Sequence, residues 1–308
     1  MQFDIITLDE YFFDQIFTGL PKFPALGQET YSKKLTTTGG AMFITATAFT
    51  RLGAKVGWPA TFGDDSYSQF VYELSQKEGI DLSLARVLDR PNRRVTSSMP
   101  FEGERAFVTF VDDEPSDLDA YYLSALQRAT YRHVHFGGFV CRKRLTPFLD
   151  VIRQKGATVS MDCQDGDHLS DPAKCIDALE LVDVFMPNAR EAQILSGCSD
   201  TLEAVKLLAE KTPLLVVKNG ADGVIVAQQD EIIQVAGLNA GEVIDTTGAG
   251  DCFNAGFLYA HVIEQHPHEI SAKYGNICGG LSVTGIGGAT NAPTYSELQG
   301  WLEKLPAL

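Results

Sequence analysis

From about residue 120 onward, short β-branched segments alternate with longer segments whose apolar residues recur at helical spacing. Such alternation is typical of a parallel sheet whose crossover helices cover both of its faces. The predicted strands are Tyr131 to Phe136, Thr158 to Asp162, Val182 to Met186, Leu214 to Lys218 and Val224 to Ala227. The predicted helices are Arg142 to Gln154, Pro172 to Leu181, Glu191 to Leu195 and Thr201 to Lys211. The pattern therefore predicts an α/β fold.

The N-terminal third has a different pattern, in which polar and apolar residues alternate between turns rich in Gly and Pro. Gly103 is predicted to be the turn of a hairpin between Glu102 and Glu104. We expect a small antiparallel sheet, built from Tyr11 to Phe17, Thr30 to Thr37 and Arg94 to Val111. These pieces interrupt the α/β core, so we predict a β lid of residues 10–36 and 92–112 and a core of residues 1–9, 37–91 and 113–308.

Net charge limits the partners that this chain would bind. Lys and Arg number 25 against 40 Asp and Glu, so the net charge of −15 repels nucleic acid and anionic lipid surfaces. No apolar run reaches the roughly 18 residues that span a bilayer, and the first residues do not resemble a signal peptide. Six scattered cysteines form no CxxC pair and lie near no histidine at metal-ligand spacing. We expect a cytoplasmic protein with reduced cysteines and with no nucleic-acid or membrane partner.

The segment from Glu242 to Phe257 carries the most specific functional signal. An apolar strand end is predicted to run through the loop Asp245 to Asp251 into an apolar helix from Cys252 to His261. Free amides at a helix N-terminus, together with the positive end of the helix dipole, bind anions. The small residues Gly248 to Gly250 would let a phosphate approach the main chain closely.

Asp251 stands in the first turn of that helix, beside the predicted anion site. A carboxylate next to a phosphate is electrostatically costly, and Ser or Asn would cap the helix equally well, so this acid is a candidate for function. In phosphoryl transfer a carboxylate accepts the proton of the attacking hydroxyl while the protein positions the groups. Alternatively, the loop is a glycine-rich turn with an acidic helix cap, since it matches neither the P-loop nor the dinucleotide fingerprint.

The string Asp245 to Asp251, followed by Phe253, Ala255 and Gly256, resembles the C-terminal signature of the ribokinase-like (PfkB) carbohydrate kinases. Further family marks follow in the expected order along essentially the whole chain. They are Gly39-Gly40 with Ala46 and Arg51-Leu52-Gly53-Ala54, then Phe62-Gly63-Asp64-Asp65, Pro187-Asn188-Ala189-Arg190-Glu191, Lys218 to Gly223, and Asn276 to Ala289. The resemblance implies a three-layer, doubly wound, mainly parallel sheet with a small antiparallel β lid, and ATP-dependent phosphorylation of a hydroxyl on a small sugar.

The resemblance also implies roles for individual residues. The general base would be Asp251, and the backbone anion hole would be Gly248, Ala249 and Gly250. The acceptor would be bound by Asp14, Gly39 and Gly40. The nucleotide would be bound by Asn188, Lys218, Gly220, Gly223 and Asn276. Glu191 would organise Mg²⁺ through water, while Asp245 and Thr247 would belong to a K⁺ site. Without the resemblance, Asn188 to Glu191 is equally a helix start and Lys218 is equally a solvated charge.

Two departures from the family pattern concern the acceptor. Ile44 stands where the family usually carries an Asn, and Leu8-Asp9-Glu10 replaces the usual Gly-Glu after the first strand. A hydrogen-bonding group is thereby exchanged for an apolar one, which leaves the identity of the acceptor open. Arg94 and Arg105 in the predicted lid would meet the phosphate of a phosphosugar, or they are solvated charges.

Three hypotheses follow for the function. The first is a sugar kinase, and the second is a nucleoside kinase of the same fold. The second is favoured by Ile44 and by aromatic residues that would stack a base or would simply pack, namely Tyr11, Phe12, Phe13, Phe101, Phe107 and Phe110. The third is a non-catalytic sugar- or nucleotide-binding regulator. An exposed edge of the small sheet would favour a homodimer through the lid.

Overall fold

The computed structural model describes residues 1–102, 104–164 and 166–305. In chain order its strands are β1 (Ile5–Leu8), β2 (Tyr11–Thr18), β3 (Lys34–Ala41), β4 (Val56–Gly57), β5 (Thr61–Phe62), β6 (Arg86–Val87), β7 (Arg94–Phe101), β8 (Glu104–Val111), β9 (His133–Phe136), β10 (Thr158–Asp162), β11 (Val184–Met186), β12 (Leu214–Lys218), β13 (Val224–Gln228) and β14 (Glu231–Val235). Its helices are α1 (Met42–Arg51), α2 (Ser66–Lys77), α3 (Leu118–Arg128), α4 (Arg142–Gln154), α5 (Ile176–Leu179), α6 (Ala189–Ser196), α7 (Thr201–Ala209), α8 (Ala249–Leu258), α9 (His268–Ser282) and α10 (Tyr295–Leu302).

An eight-stranded sheet, counted over the described residues, organises the fold. Its order is β14-β13-β12-β11-β10-β9-β1-β4, and all neighbours from β12 to β4 are parallel. Parallel pairing requires a crossover, and the helices supply it. β12 with β13, and β13 with β14, pair antiparallel instead, because only residues 219–223 and 229–230 separate these strands, enough for hairpins but not for crossovers. The predicted mainly parallel α/β sheet is confirmed.

Helices cover both faces of this sheet because its strands are apolar on both sides. Leu214 to Val217 of β12 are all buried, and they alternate between two hydrophobic clusters. One cluster includes residues of α3, α4 and α7, and the other includes residues of α1, α8 and α9. The three-layer arrangement is therefore confirmed. No helix in the described part of the chain is long and apolar enough to cross a membrane.

Element boundaries agree with the sequence pattern where apolar periodicity is strong. The predicted segments at Arg142–Gln154, Thr158–Asp162 and Leu214–Lys218 are observed with those bounds. The prediction of one helix from Pro172 to Leu181 is wrong, because a 3₁₀ turn precedes the short α5 and the break falls at the buried Cys175. Helix α8 begins earlier than predicted and continues into a π-helical turn.

A second sheet, of order β3-β2-β7-β8, stands beside the core. β2 pairs antiparallel with β3 and β7 with β8, as the alternation predicts, whereas the central pair β2 and β7 is parallel. β2 and β7 belong to two separate segments of the chain that enter the sheet in the same direction, so this central pair is parallel. Gly103, the predicted hairpin turn, lies outside the described residues. The assignment of this sheet to a lid with the boundaries given above stays a prediction.

Candidate active site

The loop that precedes α8 is fixed by its first residue and by the end of α9. The amide of Ile244 donates to the carbonyl of Val283 at 2.8 Å, so the predicted strand end before the loop is wrong: this segment bonds to the end of α9 and lies outside the sheets. The carboxylate of Asp245 accepts from the amides of Thr247 and Gly287, each at 3.0 Å. Asp245 thus joins two loops that are distant in sequence.

Gly248 allows the two loops to touch at their main chains. Its φ of 71° lies in the left-handed region, which glycine adopts without strain. A Cβ built on Gly248 would lie 2.8 Å from the Cα of Gly288 and 2.8 Å from Cδ1 of Ile44. Ile44 is only 2% exposed. The residue that departs from the family pattern therefore packs beneath the loop.

The start of α8 carries the free amides that an anion site requires. Among the described residues, no hydrogen bond within the chain is made by the amides of Gly248, Gly250 and Asp251. The amide of Ala249 makes a long hydrogen bond of 3.4 Å to the carbonyl of Thr246. Unpaired donors and the positive end of the helix dipole both favour a bound anion here.

Asp251 is partly buried in the first turn of α8, and its Oδ1 accepts from the hydroxyl of Thr45 at 2.9 Å. Burial raises the pKa of Asp251 to about 7, and repulsion by Asp162 adds to this effect. The hydrogen bond from Thr45 and the charge of Lys218 lower the pKa in part. A carboxylate of this kind can accept a proton near neutral pH.

Asp14 faces the same space from β2, where it is 8% exposed. Burial raises its pKa to about 7, followed by repulsion from Asp251 and Asp245. A Cβ on Gly40 would lie 2.2 Å from Oδ2 of Asp14, and a Cβ on Gly39 would lie 2.4 Å from the ring of Phe43. Close packing thus requires glycine at both positions, against Asp14 at Gly40 and against Phe43 at Gly39. The predicted acceptor residues Asp14, Gly39 and Gly40 therefore lie together.

Lys218 is held beneath Gly250 and is not a solvated charge. Its Nζ donates to both carboxylate oxygens of Asp162, at 2.8 and 2.9 Å, and to Oδ1 of Asn254 at 3.3 Å. The side chain is 13% exposed. A Cβ on Gly250 would lie 3.4 Å from Nζ.

The remaining predicted nucleotide residues line the turn after β12 and the side of α9. Gly220 and Gly223 both have positive φ, and a Cβ on Gly223 would lie 2.1 Å from the carbonyl oxygen of Val235. Asn276 donates to the carbonyls of Val235 and Ala236 at 3.2 and 2.9 Å. Gly223 and Asn276 therefore meet at the same segment, Val235 and Ala236.

Asn188 and Glu191 form a capping box at the start of α6. Glu191 N donates to Oδ1 of Asn188 at 2.9 Å, and Asn188 N donates to Oε2 of Glu191 at 2.8 Å. The interpretation of this pair as a helix start is therefore correct geometrically. Asn188 also bridges to Lys218 at the carboxyl edge of the sheet, which leaves a functional role open.

Several residues at the site were not predicted from the sequence. Thr45 reaches Asp251 from α1, while Asp162 and Asn254 hold Lys218. Only Asp162 had a usable signal, because it ends a predicted parallel strand and ligands bind at the carboxyl ends of such strands. Arg51 donates to the carbonyls of Ala289, Thr290 and Ala292 and so fixes the loop after α9.

The two arginines of the small sheet have different environments. Arg94 is 5% exposed and donates to Glu114 at 3.3 Å, so it is not a solvated charge. Arg105 donates to Oγ1 of Thr247 at 3.2 Å and lies 3.9 Å from Asp245. Arg105 therefore connects the small sheet to the loop of α8.

Two of the six aromatic residues that would stack a base are buried in packing contacts, whereas Phe107 and Phe110 are exposed. Tyr11 is fully buried and stacks on Phe62 with ring centroids 4.8 Å apart. Phe13 is buried against Tyr67 and Phe70. The described structure thus gives no support to stacking by these two rings.

Comparisons with known proteins found a family match and several relatives. The family described as pfkB family carbohydrate kinase matches residues 28–295. A fructokinase of Klebsiella pneumoniae is 30% identical over 286 residues, which cover 85% of this chain and 90% of the relative. A ribokinase of Haemophilus influenzae is 25% identical, and the match covers 86% of this chain and 87% of the relative. A ribokinase II of Escherichia coli, solved with ATP and Mg²⁺, superposes with a TM-score of 0.81 at 22% identity and covers 98% of this chain and 99% of its own.

Proposed function

This chain belongs to the pfkB family of carbohydrate kinases, and from that membership we propose that it transfers the terminal phosphoryl group of ATP to a hydroxyl of a small sugar. The observation that carries the proposal is the position of Asp251, a carboxylate with a pKa of about 7 in the same helical turn as unpaired amides. Asp251 would take the proton of the acceptor hydroxyl as the oxygen attacks phosphorus. The amides of Gly248 to Gly250 would hold the charged oxygens of the transferred group. We place this activity in the cytoplasm, where ATP is made and used.

The donor side would be formed by the edge that runs from β12 to α9. Asn188, Lys218, Gly220, Gly223 and Asn276 would bind the nucleotide along it. Mg²⁺ would neutralise phosphate charge while retaining water, and Glu191 would organise it through that water. Within the described residues no cluster of three or more His, Cys, Asp or Glu could hold a metal alone, which suits an ion held mainly by phosphates and water.

A monovalent cation would lie beside Asp245 and Thr247. Both oxygens of Asp245 accept backbone N–H groups, so the side chain shapes the loops and carbonyl oxygens would supply the ligands. K⁺ there would favour the closed contact between the two loops. Arg105 approaches the same carboxylate from the lid, and its position would report on occupancy of the site.

Release of ADP across a panel of acceptors tests the function. The panel contains hexoses, pentoses, deoxy-keto acids, phosphosugars and nucleosides, each assayed with Mg²⁺ in KCl and in tetramethylammonium chloride. We expect turnover of a sugar, faster in KCl. Turnover of nucleosides alone would replace the sugar assignment by the nucleoside kinase. A flat result with intact ATP binding would favour the non-catalytic regulator.

Asp14→Asn is expected to raise the acceptor KM by roughly 10- to 100-fold, the value of a hydrogen bond to a charged group. The KM for ATP should not change, because Asp14 lies on the lid side of the site. Steady-state kinetics with the acceptor from the panel measure both constants. Asp119→Asn is the matched control, since Asp119 pairs with Arg144 on the opposite layer. An unchanged acceptor KM would remove Asp14 from acceptor binding.

We also propose a homodimer joined through β8, one of the two edge strands of the small sheet. Val108 and Phe110 are 64% and 51% exposed, and they lie on the face opposite to Arg105 because side chains alternate along a strand. Light scattering is expected to give twice the monomer mass. Val108→Lys should return the monomer, because a charge on an edge strand opposes pairing. A monomeric parent protein at the concentrations of the assay would contradict the proposal.

A further inference from the structure

Beneath the N-terminus of α8, three polar side chains from separate elements form a closed cluster: Asp162 at the end of β10, Lys218 at the end of β12, and Asn254 within α8. Besides the contacts of Lys218 given above, Nδ2 of Asn254 donates to Oδ2 of Asp162 at 2.6 Å. Asp162 is 6% exposed and Asn254 is 1% exposed. Each member therefore contacts the other two, and the cluster is shielded from solvent.

The cluster lies directly under the groups assigned to phosphoryl transfer. Lys218 Nζ is within van der Waals distance of the Cβ position of Gly250. Asn254 follows Asp251 by three residues in α8, so both side chains lie on one face of the helix. The carboxyl ends of parallel strands meet at one edge of a sheet, which is why β10 and β12 deliver their last residues here. One ion pair thus joins two strands to the helix that carries the base.

Asp251 experiences two opposite charges from this cluster. Repulsion by Asp162 follows burial as a cause of its raised pKa, and attraction by Lys218 acts in the other direction. The other groups that face it come from α1, the end of β1, and β2; they are Thr45, Asp9 and Asp14. Asp162 and Lys218 are therefore the paired charges of opposite sign beside the base.

We propose that Asp162, Lys218 and Asn254 are positioning residues for the transfer, which hold the ammonium beneath Gly250 and balance the electric field at Asp251. The proposal rests on the proposed role of Asp251 as the base. A buried ion pair gives little net stability over apolar side chains of similar volume, so stability alone does not account for it. Removal of one charge should shift the protonation of Asp251 in the direction set by the charge that remains.

Three variants test this sign rule through the pH profile of kcat/KM. Asp162→Asn removes the repulsion, so the acid limb should move to lower pH by roughly one unit. Lys218→Met removes the attraction, so the limb should move to higher pH. The double variant removes both charges and should return the limb close to that of the parent protein, with a lower kcat because positioning is lost. Asp119→Asn is the control for loss of one carboxylate.

A second readout does not depend on turnover. Carboxyl ¹³C NMR of aspartate-labelled protein, with the Asp251 signal assigned through Asp251→Asn, should show the same two opposite shifts. Circular dichroism checks that each variant is folded; if Lys218→Met does not fold, Asp162→Asn and the double variant carry the test. Equal shifts in one direction, or no shift, would overturn the proposal. A raised KM for ATP in Lys218→Met with an unshifted limb would limit Lys218 to the donor side and remove it from the balance at Asp251, which also overturns the proposal.

If the parent protein turns over no acceptor while the NMR shifts are opposite, the proposed function fails and the electrostatic balance stands. If the parent protein is active and the shifts are absent, the balance fails and the proposed function stands. The two proposals are thereby tested separately.

Discussion

Asp251→Asn is expected to lower kcat by at least roughly 10²-fold, the usual contribution of a general base. Asn has nearly the same shape and keeps an oxygen that accepts from Thr45, so the first turn of α8 should be preserved. Only the capacity to take a proton is lost. The KM for ATP should stay within roughly twofold of the parent value, because the free amides of the loop are unchanged. Steady-state kinetics with the acceptor identified in the panel measure both constants.

The pH dependence of stability distinguishes the loss of kcat in Asp251→Asn from unfolding of the variant. A carboxylate has a pKa of about 3.9 in the unfolded chain, and Asp251 has one of about 7 when folded. The folded state therefore binds the proton more tightly, and the stability that this provides below the unfolded pKa is lost as pH rises through about 7. At pH 8 Asp251→Asn should melt no lower than the parent protein. Equal kcat in the two proteins would end the assignment of Asp251 as base, whereas Asp119→Asn should change nothing.

Sequence periodicity predicted the large sheet well because its signal is local. Leu214 to Val217 is an unbroken apolar run, preceded by Pro213 and followed by Lys218, which is what a strand buried on both faces requires. The parallel pairing of β2 with β7 had no such signal. Nothing in either segment records the direction in which the other enters the sheet, since about eighty residues separate them.

The candidate site was only partly predictable for the same reason. The loop Asp245 to Asp251 is continuous, so its helix start and its carboxylate can be read from neighbouring residues. Asp162, Lys218 and Asn254 lie on three separate elements and meet only when the order of strands is known. Ile44 illustrates the opposite case, because its departure from the family pattern was visible while its packing contact with Gly248 was not.

Gly248→Ala is expected to lower kcat/KM by at least roughly 10²-fold, comparable with the loss of backbone donors to a developing negative charge. An Ala at a φ of 71° is strained. Its Cβ would also lie 2.8 Å from the Cα of Gly288, a main-chain atom that cannot move aside as the end of a flexible side chain could. The loop would have to separate from Gly288, which would turn its amides away from the transferred group. Steady-state kinetics and a thermal melt measure the two effects, and a loss of roughly 1–3 kcal/mol in stability is expected from the strain.

A series of glycines distinguishes this effect from a general intolerance of Ala. Gly300 lies in α10 with nothing within 4 Å of its Cβ position, so Gly300→Ala should stabilise the helix by roughly 0.5–1 kcal/mol without changing activity. Gly250 lacks a left-handed φ, and the first atom its Cβ would meet is Nζ of Lys218 at 3.4 Å, an ordinary contact. The kcat/KM of Gly250→Ala should therefore lie between those of Gly300→Ala and Gly248→Ala. A methyl group at position 248 and the present contact with Gly288 cannot both be kept. If Gly248→Ala retained the kcat/KM of the parent protein, phosphoryl transfer would therefore not depend on this loop.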